Sequence, residues 1–289
     1  MTDFDILMIG NFAKDKIIID GFEQVMSGSG VYFGSVVIRR LGLKVAVVTR
    51  LHPADFERLD EIRAEGVQVF ASPAQGTSGI ANYYQSGDME RRICKPIGFG
   101  GKYEINQIPD LQARLIILSP LFAGEVDLPF LQAMARRAPV AMDIQGFVRV
   151  IVGEDLLFQP WEDMAEGLKS ITYLKVDRAE AEYLTGLDEP RQAAVALADL
   201  GPSEVVLTQT SGVMAYAGGQ FFEAPFNPRS LAGRTGRGDT CFCSYLAKRL
   251  DHDPQTAVNW AGVITSLKQE TPGRWKGTPQ QVEAILKGK

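Results

Sequence analysis

Histidine and cysteine are scarce, with two and three residues respectively in a chain of 289. His52 and His252 stand apart beside turn-like or charged residues, so acid–base chemistry falls to carboxylates. Cys94, Cys241 and Cys243 are odd in number and lack the paired spacing of a zinc site; they read as ordinary thiols of a reducing compartment. No apolar run approaches the roughly 20 residues of a membrane span, and the acidic start Met1-Thr2-Asp3-Phe4-Asp5 does not resemble a secretory signal. A cytoplasmic protein without a membrane partner is the expectation. Acid and base are mixed along the chain at a net charge of -5, which provides no basic face for nucleic acid. Neither Gly-Lys-Ser nor Gly-Lys-Thr occurs, which excludes the Walker phosphate loop. Small molecules, or another protein, remain as partners.

What is present is a rhythm. Short apolar runs at Ile6 to Ile9, Val45 to Val48, Leu115 to Leu118, Val140 to Met142, Ile171 to Val176 and Val205 to Leu207 alternate with helical stretches. The helical candidates are Gly34 to Leu41, Phe56 to Glu65, Leu128 to Arg137, Arg178 to Leu184, Arg191 to Leu200, Thr240 to Leu250, Pro254 to Leu267 and Pro279 to Leu286. Strands buried on both faces alternating with helices predict an α/β fold, a doubly wound, mostly parallel sheet flanked by helices in one domain over 1–289. Two stretches, about 16–24 and 79–96, break the rhythm. The second alternates over Gly79 to Gln85, turns at Ser86-Gly87-Asp88 and continues through Arg91-Arg92-Ile93. Both read as strands of a small β lid, either a closing flap or a static one.

The densest chemical signal is Gly233-Arg234-Thr235-Gly236-Arg237-Gly238-Asp239-Thr240, which runs into the helical stretch from Cys241. Glycines allow close backbone approach, and the helix N-terminus behind them presents unpaired N–H groups to an anion. Asp239 stands in the first turn, where a carboxylate serves as a helix cap or as a base. Asp177 and Glu180, three apart, are either a solvated helix start or a pair able to hold a hydrated cation. Asp15 follows the first strand, as a turn residue between Lys14 and Lys16 or as a ligand-facing carboxylate outside the strand ends.

These segments resemble the ribokinase/PfkB carbohydrate kinase family. Thr235 to Thr240 is similar to its C-terminal signature, in which a Gly-Ala-Gly-Asp turn forms an anion hole and its Asp is the catalytic base. Gly10-Asn11-Phe12-Ala13-Lys14-Asp15 resembles the first-strand motif, Gly28 to Ser35 with Arg40-Leu41-Gly42 the glycine-rich segment, and Lys175 to Glu180 the Asn-x-x-Glu motif. Trp260 to Lys268 with Pro272-Gly273 looks like the helix and turn flanking adenine. The resemblance implies an ATP-dependent phosphotransferase with Asp239 as base and Gly236, Arg237 and Gly238 as the anion hole. It implies acceptor contacts at Asp15, Gly28, Gly30 and Phe33, nucleotide contacts at Thr208, Thr235, Gly262 and Thr265, and magnesium held through water by Asp177 and Glu180.

Asp143-Ile144-Gln145-Gly146-Phe147-Val148-Arg149, with the run Val31 to Ser35 and the end Pro272 to Thr278, is similar to the inositol-kinase-like branch. That likeness adds Asp143, Gln145 and Arg149 to the acceptor site and favours a polyol, although Asp143 and Arg149 also fit a surface ion pair. Three departures stand out. Gly233-Arg234 replaces the start that helps a monovalent-cation site, which counts against potassium; Arg237 replaces a small residue, and Asp177 an Asn. The expectation is therefore a kinase for a small polyol or sugar, with a nucleoside kinase and a non-catalytic ligand-binding protein as alternatives. A homodimer through the lid is the expected association.

Overall fold

The computed structural model of the chain describes residues 2–85 and 88–288, with the side chains of 88–92 outside that description. The turn expected at Ser86-Gly87-Asp88 falls at this gap and lies outside the described residues. In chain order the strands are β1 (Phe4–Ile9), β2 (Ala13–Ile19), β3 (Phe22–Gly28), β4 (Val45–Leu51), β5 (Gln68–Pro73), β6 (Gly79–Gln85), β7 (Asp88–Gly98), β8 (Ala113–Leu118), β9 (Val140–Asp143), β10 (Arg149–Val152), β11 (Asp155–Phe158), β12 (Tyr173–Asp177), β13 (Glu204–Thr208), β14 (Gly212–Ala217) and β15 (Gln220–Pro225). The helices are α1 (Gly30–Arg40), α2 (Asp60–Arg63), α3 (Leu128–Ala135), α4 (Gln145–Val148), α5 (Met164–Leu168), α6 (Arg178–Thr185), α7 (Pro190–Ala198), α8 (Arg237–Arg249), α9 (Pro254–Gln269) and α10 (Pro279–Lys287).

The central sheet runs β15-β14-β13-β12-β9-β8-β1-β4-β5. Its pairs are parallel from β13 to β5, and β14 and β15 close one edge antiparallel. β1 illustrates why an unbroken apolar run becomes a central strand: Ile6 and Met8 pack into the layer containing α1, α8 and α9, whereas Leu7 and Ile9 pack into the layer containing α3, α6 and α7. The strand order reverses around β1, which has β4 on one side and β8 on the other. At that switch point the carboxyl ends of parallel strands leave a crevice.

The lid is a four-stranded sheet, β3-β2-β6-β7. It is larger than the expected 16–24 and 79–96, because the first stretch is a hairpin whose turn, Asp20-Gly21, takes positive φ (49° and 85°) and whose arms extend from Ala13 to Gly28. Asp15 consequently belongs to the lid strand β2 and not to the end of the first strand. The strands β5, β14 and β15 and the β10–β11 hairpin add to the expected set.

Candidate active site

The segment from Gly233 to Asp239 enters α8 through Gly236, whose φ of 82° is open to glycine and strained for other residues. A Cβ there would also clash with the Phe33 ring, so Phe33, itself 1% exposed, supports the loop from beneath. On the other side Gly30, the first residue of α1, lets the backbone pass under Ser119 and Asp239: an added Cβ would overlap Ser119 Oγ and stand 3.2 Å from Asp239 Oδ1. Asp239 thus lies over the end of β8, at the switch-point crevice.

A cavity of about 140 Å³ opens in front of this loop, lined by Gln145, Arg149, Lys175, Asp177, Thr208, Arg234, Gly236, Arg237, Gly238 and Asp239. Four cationic side chains face two carboxylates there. Beneath it is an ion-pair network. Lys175 Nζ, on β12, lies 2.9 Å from Asp143 Oδ2 and 3.7 Å from Glu180 Oε2. Burial opposes its charge, but Asp143, Glu180 and Asp177 together raise the lysine's pKa, so it stays an ammonium. Burial pushes the Asp143 carboxyl upward against Lys175, and the charge of Asp239 adds to the rise. Arg149 Nη2 donates to Glu180 Oε1 at 3.0 Å. Asp143 is 4% exposed, so it is no surface charge: it faces the buried Lys175, and Arg149 reaches the buried Glu180.

Asp177 and Glu180 cap α6 reciprocally: Glu180 N–H donates to Asp177 Oδ1, and Asp177 N–H to Glu180 Oε2, each at 2.8 Å. Glu180 is fully buried, with both carboxylate oxygens engaged, whereas the Asp177 side chain is 37% exposed and lines the cavity. A hydrated magnesium ion fits Asp177 by its exposed oxygen chemistry.

Asp15 is buried at the base of the lid, where Oδ1 accepts from Ile80 N–H at 2.8 Å and Oδ2 occupies the space a Cβ on Gly28 would need. The pairing of β2 with β6 puts Asp15, Ile80 and Asn82 on one lid face. The lid is anchored by a buried network without counterpart in the sequence reading. Ser78 Oγ donates to Glu125 Oε1 (2.9 Å), accepts from Gly100 N–H (2.9 Å) and is joined by Asn11 Nδ2 (3.3 Å), while Tyr103 Oη donates to Asn11 Oδ1 (2.9 Å). Burial pushes Glu125 up to about 7, against hydrogen bonds donated by Leu121 N–H and the Asn11 and Ser78 side chains.

Thr208 lines the phosphate-sized cavity, but two of the other positions expected to contact nucleotide do not reach open space. Gly262 is where α9 packs on β15, with room for no Cβ beside Ala224, and Thr265 is fully buried. The open cavity near α9, about 390 Å³, is bounded instead by Asn227, Arg229, Val263, Ser266, Leu267, Glu270, Gln281 and Ile285. Lys175 and Arg234, both lining the smaller cavity, were not among the expected ligands. The clue to Lys175 was a charge interrupting the apolar strand Tyr173-Leu174-Lys175-Val176.

No family model matches the chain. Whole-chain comparison is more informative. A pyrophosphate-dependent kinase in the ribokinase family, solved with a pyrophosphate analogue and myo-inositol, is 31% identical and superposes with a TM-score of 0.90 over 97% of this chain and all of that one. The chain belongs to the ribokinase family. Its enzyme class follows: it is a carbohydrate or polyol kinase, a phosphotransferase with an alcohol group as acceptor. A second ribokinase-fold relative, a pyrophosphate-dependent myo-inositol-1 kinase that a double mutation converts into a myo-inositol-3 kinase, is 29% identical at a TM-score of 0.88, covering 98% of each chain. The cytidine kinase of Thermococcus kodakarensis is 26% identical over 258 residues, 84% of this chain and 87% of the relative.

Proposed function

We propose that this ribokinase-family enzyme phosphorylates a hydroxyl of an inositol-like polyol and takes the phosphoryl group from inorganic pyrophosphate. The observation that carries the donor is the convergence of Arg149, Lys175, Arg234 and Arg237 on a cavity of only about 140 Å³. Clefts for drug-sized ligands run to roughly 300–1,000 Å³, so this one suits phosphate groups and not a whole nucleotide. The pyrophosphate dependence of the similar kinases supports the same donor. ATP, implied by the sequence motifs, is the second reading. The cavity of about 390 Å³ beside α9 favours it, because a base there would sit off the end of the phosphate site.

In the reaction Asp239 accepts the proton of the acceptor hydroxyl as its oxygen bonds to the transferred phosphorus. The bond from phosphorus to the bridging oxygen breaks, and the leaving phosphate keeps the electron pair. The backbone N–H groups of Gly236, Gly238 and Asp239 stabilise the charge on the transferred group, that of Arg237 being bonded to Arg234 O, and the four cations stabilise the donor. Magnesium would supply further charge neutralisation, with Asp177 holding its water shell. Asp15 and Asn82, on the lid face toward the sheet, supply polar contacts to the acceptor, which suits a ring bearing many hydroxyls. A second copy of the chain is the partner proposed for the lid's other face.

The test is product formation followed by phosphorus NMR, with pyrophosphate or ATP, magnesium, and a panel of myo-inositol, sugars and cytidine. Turnover with pyrophosphate and an inositol at least tenfold above that with ATP is expected. Turnover with ATP alone moves the donor to the second reading, preference for cytidine overturns the polyol, and binding without turnover returns the non-catalytic alternative.

A further inference from the structure

Behind the loop that carries Asp239 lies an amino group that the reaction above does not use. Lys268, in the last turn of α9, is 1% exposed, and its Nζ donates to the carbonyl oxygens of Gly233 and Thr235. The same nitrogen stands 4.9 Å from the centroid of the Phe33 ring. Two carbonyl dipoles, an aromatic face and the charge of Asp239 all favour positive charge at this point. Burial works the other way and brings the lysine's pKa down to about 7, opposed by Asp239.

Family resemblance would put a monovalent cation beside this loop, and the residues present do not fit one. Gly233 and Thr235 already direct their carbonyl oxygens at the lysine nitrogen. An acidic residue at 233 would not fit either, because a Cβ on Gly233 would overlap Thr271 O and stand 2.8 Å from Lys268 O. The glycine and the lysine belong together: the missing side chain lets the loop lie on the end of α9, where Gly233 N–H donates to Gln269 O at 2.7 Å, within reach of Lys268.

We propose that Lys268 is a tethered cation that orients the phosphate-binding loop, so that the enzyme works without potassium or any other free monovalent cation. The peptide bond supplies the mechanism. In a trans peptide unit C=O and N–H point in opposite directions, so drawing Thr235 C=O inward onto Lys268 turns the Gly236 N–H outward toward the cavity. A freely exchanging ion would have to bind before the loop was ordered; the lysine is held there by the fold, and the loop is organised in advance of the donor. Lys268 is thus a positioning residue, acting through the backbone it holds.

The inference rests on reading this loop as the phosphate cradle, and the test separates the two. Magnesium pyrophosphate binding is measured by calorimetry, and turnover in parallel, in buffers whose only monovalent cation is tetramethylammonium, potassium, ammonium or methylammonium. The wild type should bind and turn over within twofold in all four. Lys268→Met should bind pyrophosphate at least tenfold more weakly while keeping its melting temperature. Lys268→Ala should regain at least fivefold in binding on addition of potassium, ammonium or methylammonium, a response that a lysine serving only to pack would not give. Potassium activation of the wild type, wild-type binding by Lys268→Met, or failure of all three small cations to restore a folded Lys268→Ala would each overturn the proposal. Absence of wild-type turnover alongside this binding pattern would instead reject the kinase reading and leave Lys268 its role.

Discussion

In the proposed reaction Asp239 and Asp15 divide the chemistry of the crevice between them, and single substitutions test those roles. Asp239→Asn keeps the size and the first-turn position of the side chain but removes the base, so kcat should fall at least about 100-fold with little change in melting temperature. Near-normal turnover would remove Asp239 from that role. Asp15 presents a buried carboxylate on the acceptor side, where hydrogen bonds to a charged group are worth roughly 1.5–3 kcal/mol each. Asp15→Ala should raise the acceptor KM more than about tenfold and leave the donor KM unchanged. A drop in stability with both KM values kept would mean that its bond to Ile80 N–H is its whole purpose. Both positions stood out in the sequence, Asp239 through the glycines before it and Asp15 as an acid following the first apolar run. Lys175, Lys268 and Glu125 did not. Each has a decisive partner far along the chain, so spacing carries no trace of the pairing: Lys175 meets Asp143 across 32 positions, Glu125 meets Ser78 across 47 and Lys268 meets Gly233 across 35.

Among the elements, the lid and its anchor show most clearly where local pattern stops being informative. Alternation in Gly79 to Gln85 revealed a strand, but the buried cluster of Asn11, Ser78, Tyr103 and Glu125 is assembled from four separate segments. Likewise β5 and β15 escaped notice as edge strands: they are only partly buried, so they lack the continuous apolar run that marks β1 or β8. The anchor has a measurable pH signature. Glu125 has its pKa raised from 4.5 to about 7 by burial, so the folded state holds a proton that the unfolded chain releases in that interval. Its contribution to stability is therefore full below about pH 4.5 and lost as pH rises through about 7, a change of about 3 kcal/mol. Glu125→Gln is permanently neutral. The stability of the variant relative to wild type, from urea unfolding, should rise by about 3 kcal/mol between pH 4.5 and 8, whatever constant cost the lost bond from Leu121 N–H imposes. A difference independent of pH would mean that Glu125 titrates alike in the folded and the unfolded chain.

For the molecule as a whole, the parallel order of the core strands and the mixed surface charge were the readable part, because both follow from composition summed over long stretches. How the lid's outer face is covered is a question of association, and the pairing registers frame it. Val25 lies opposite Lys16, Lys16 opposite Ala81, and Tyr83 opposite Ile93, so Val25, Tyr83 and Ile93 share the face turned away from Asp15. They are 41%, 41% and 66% exposed, and Phe22 at the hairpin end is 84% exposed. Apolar residues grouped on one exposed sheet face mark an association surface more often than a solvated one. A two-fold axis would put this face against its own copy, apolar centre on apolar centre, with the Lys16–Glu23 ion pair beside it. The chain should then run as a dimer by light scattering at micromolar concentration, and Tyr83→Lys with Ile93→Lys should halve the mass by placing like charges opposite one another across the axis. Because the substituted side chains point away from Asp15 and Asn82, acceptor KM should be unchanged in the monomeric variant. A wild type that scatters as a single chain at all accessible concentrations would leave the face without a second copy to cover it.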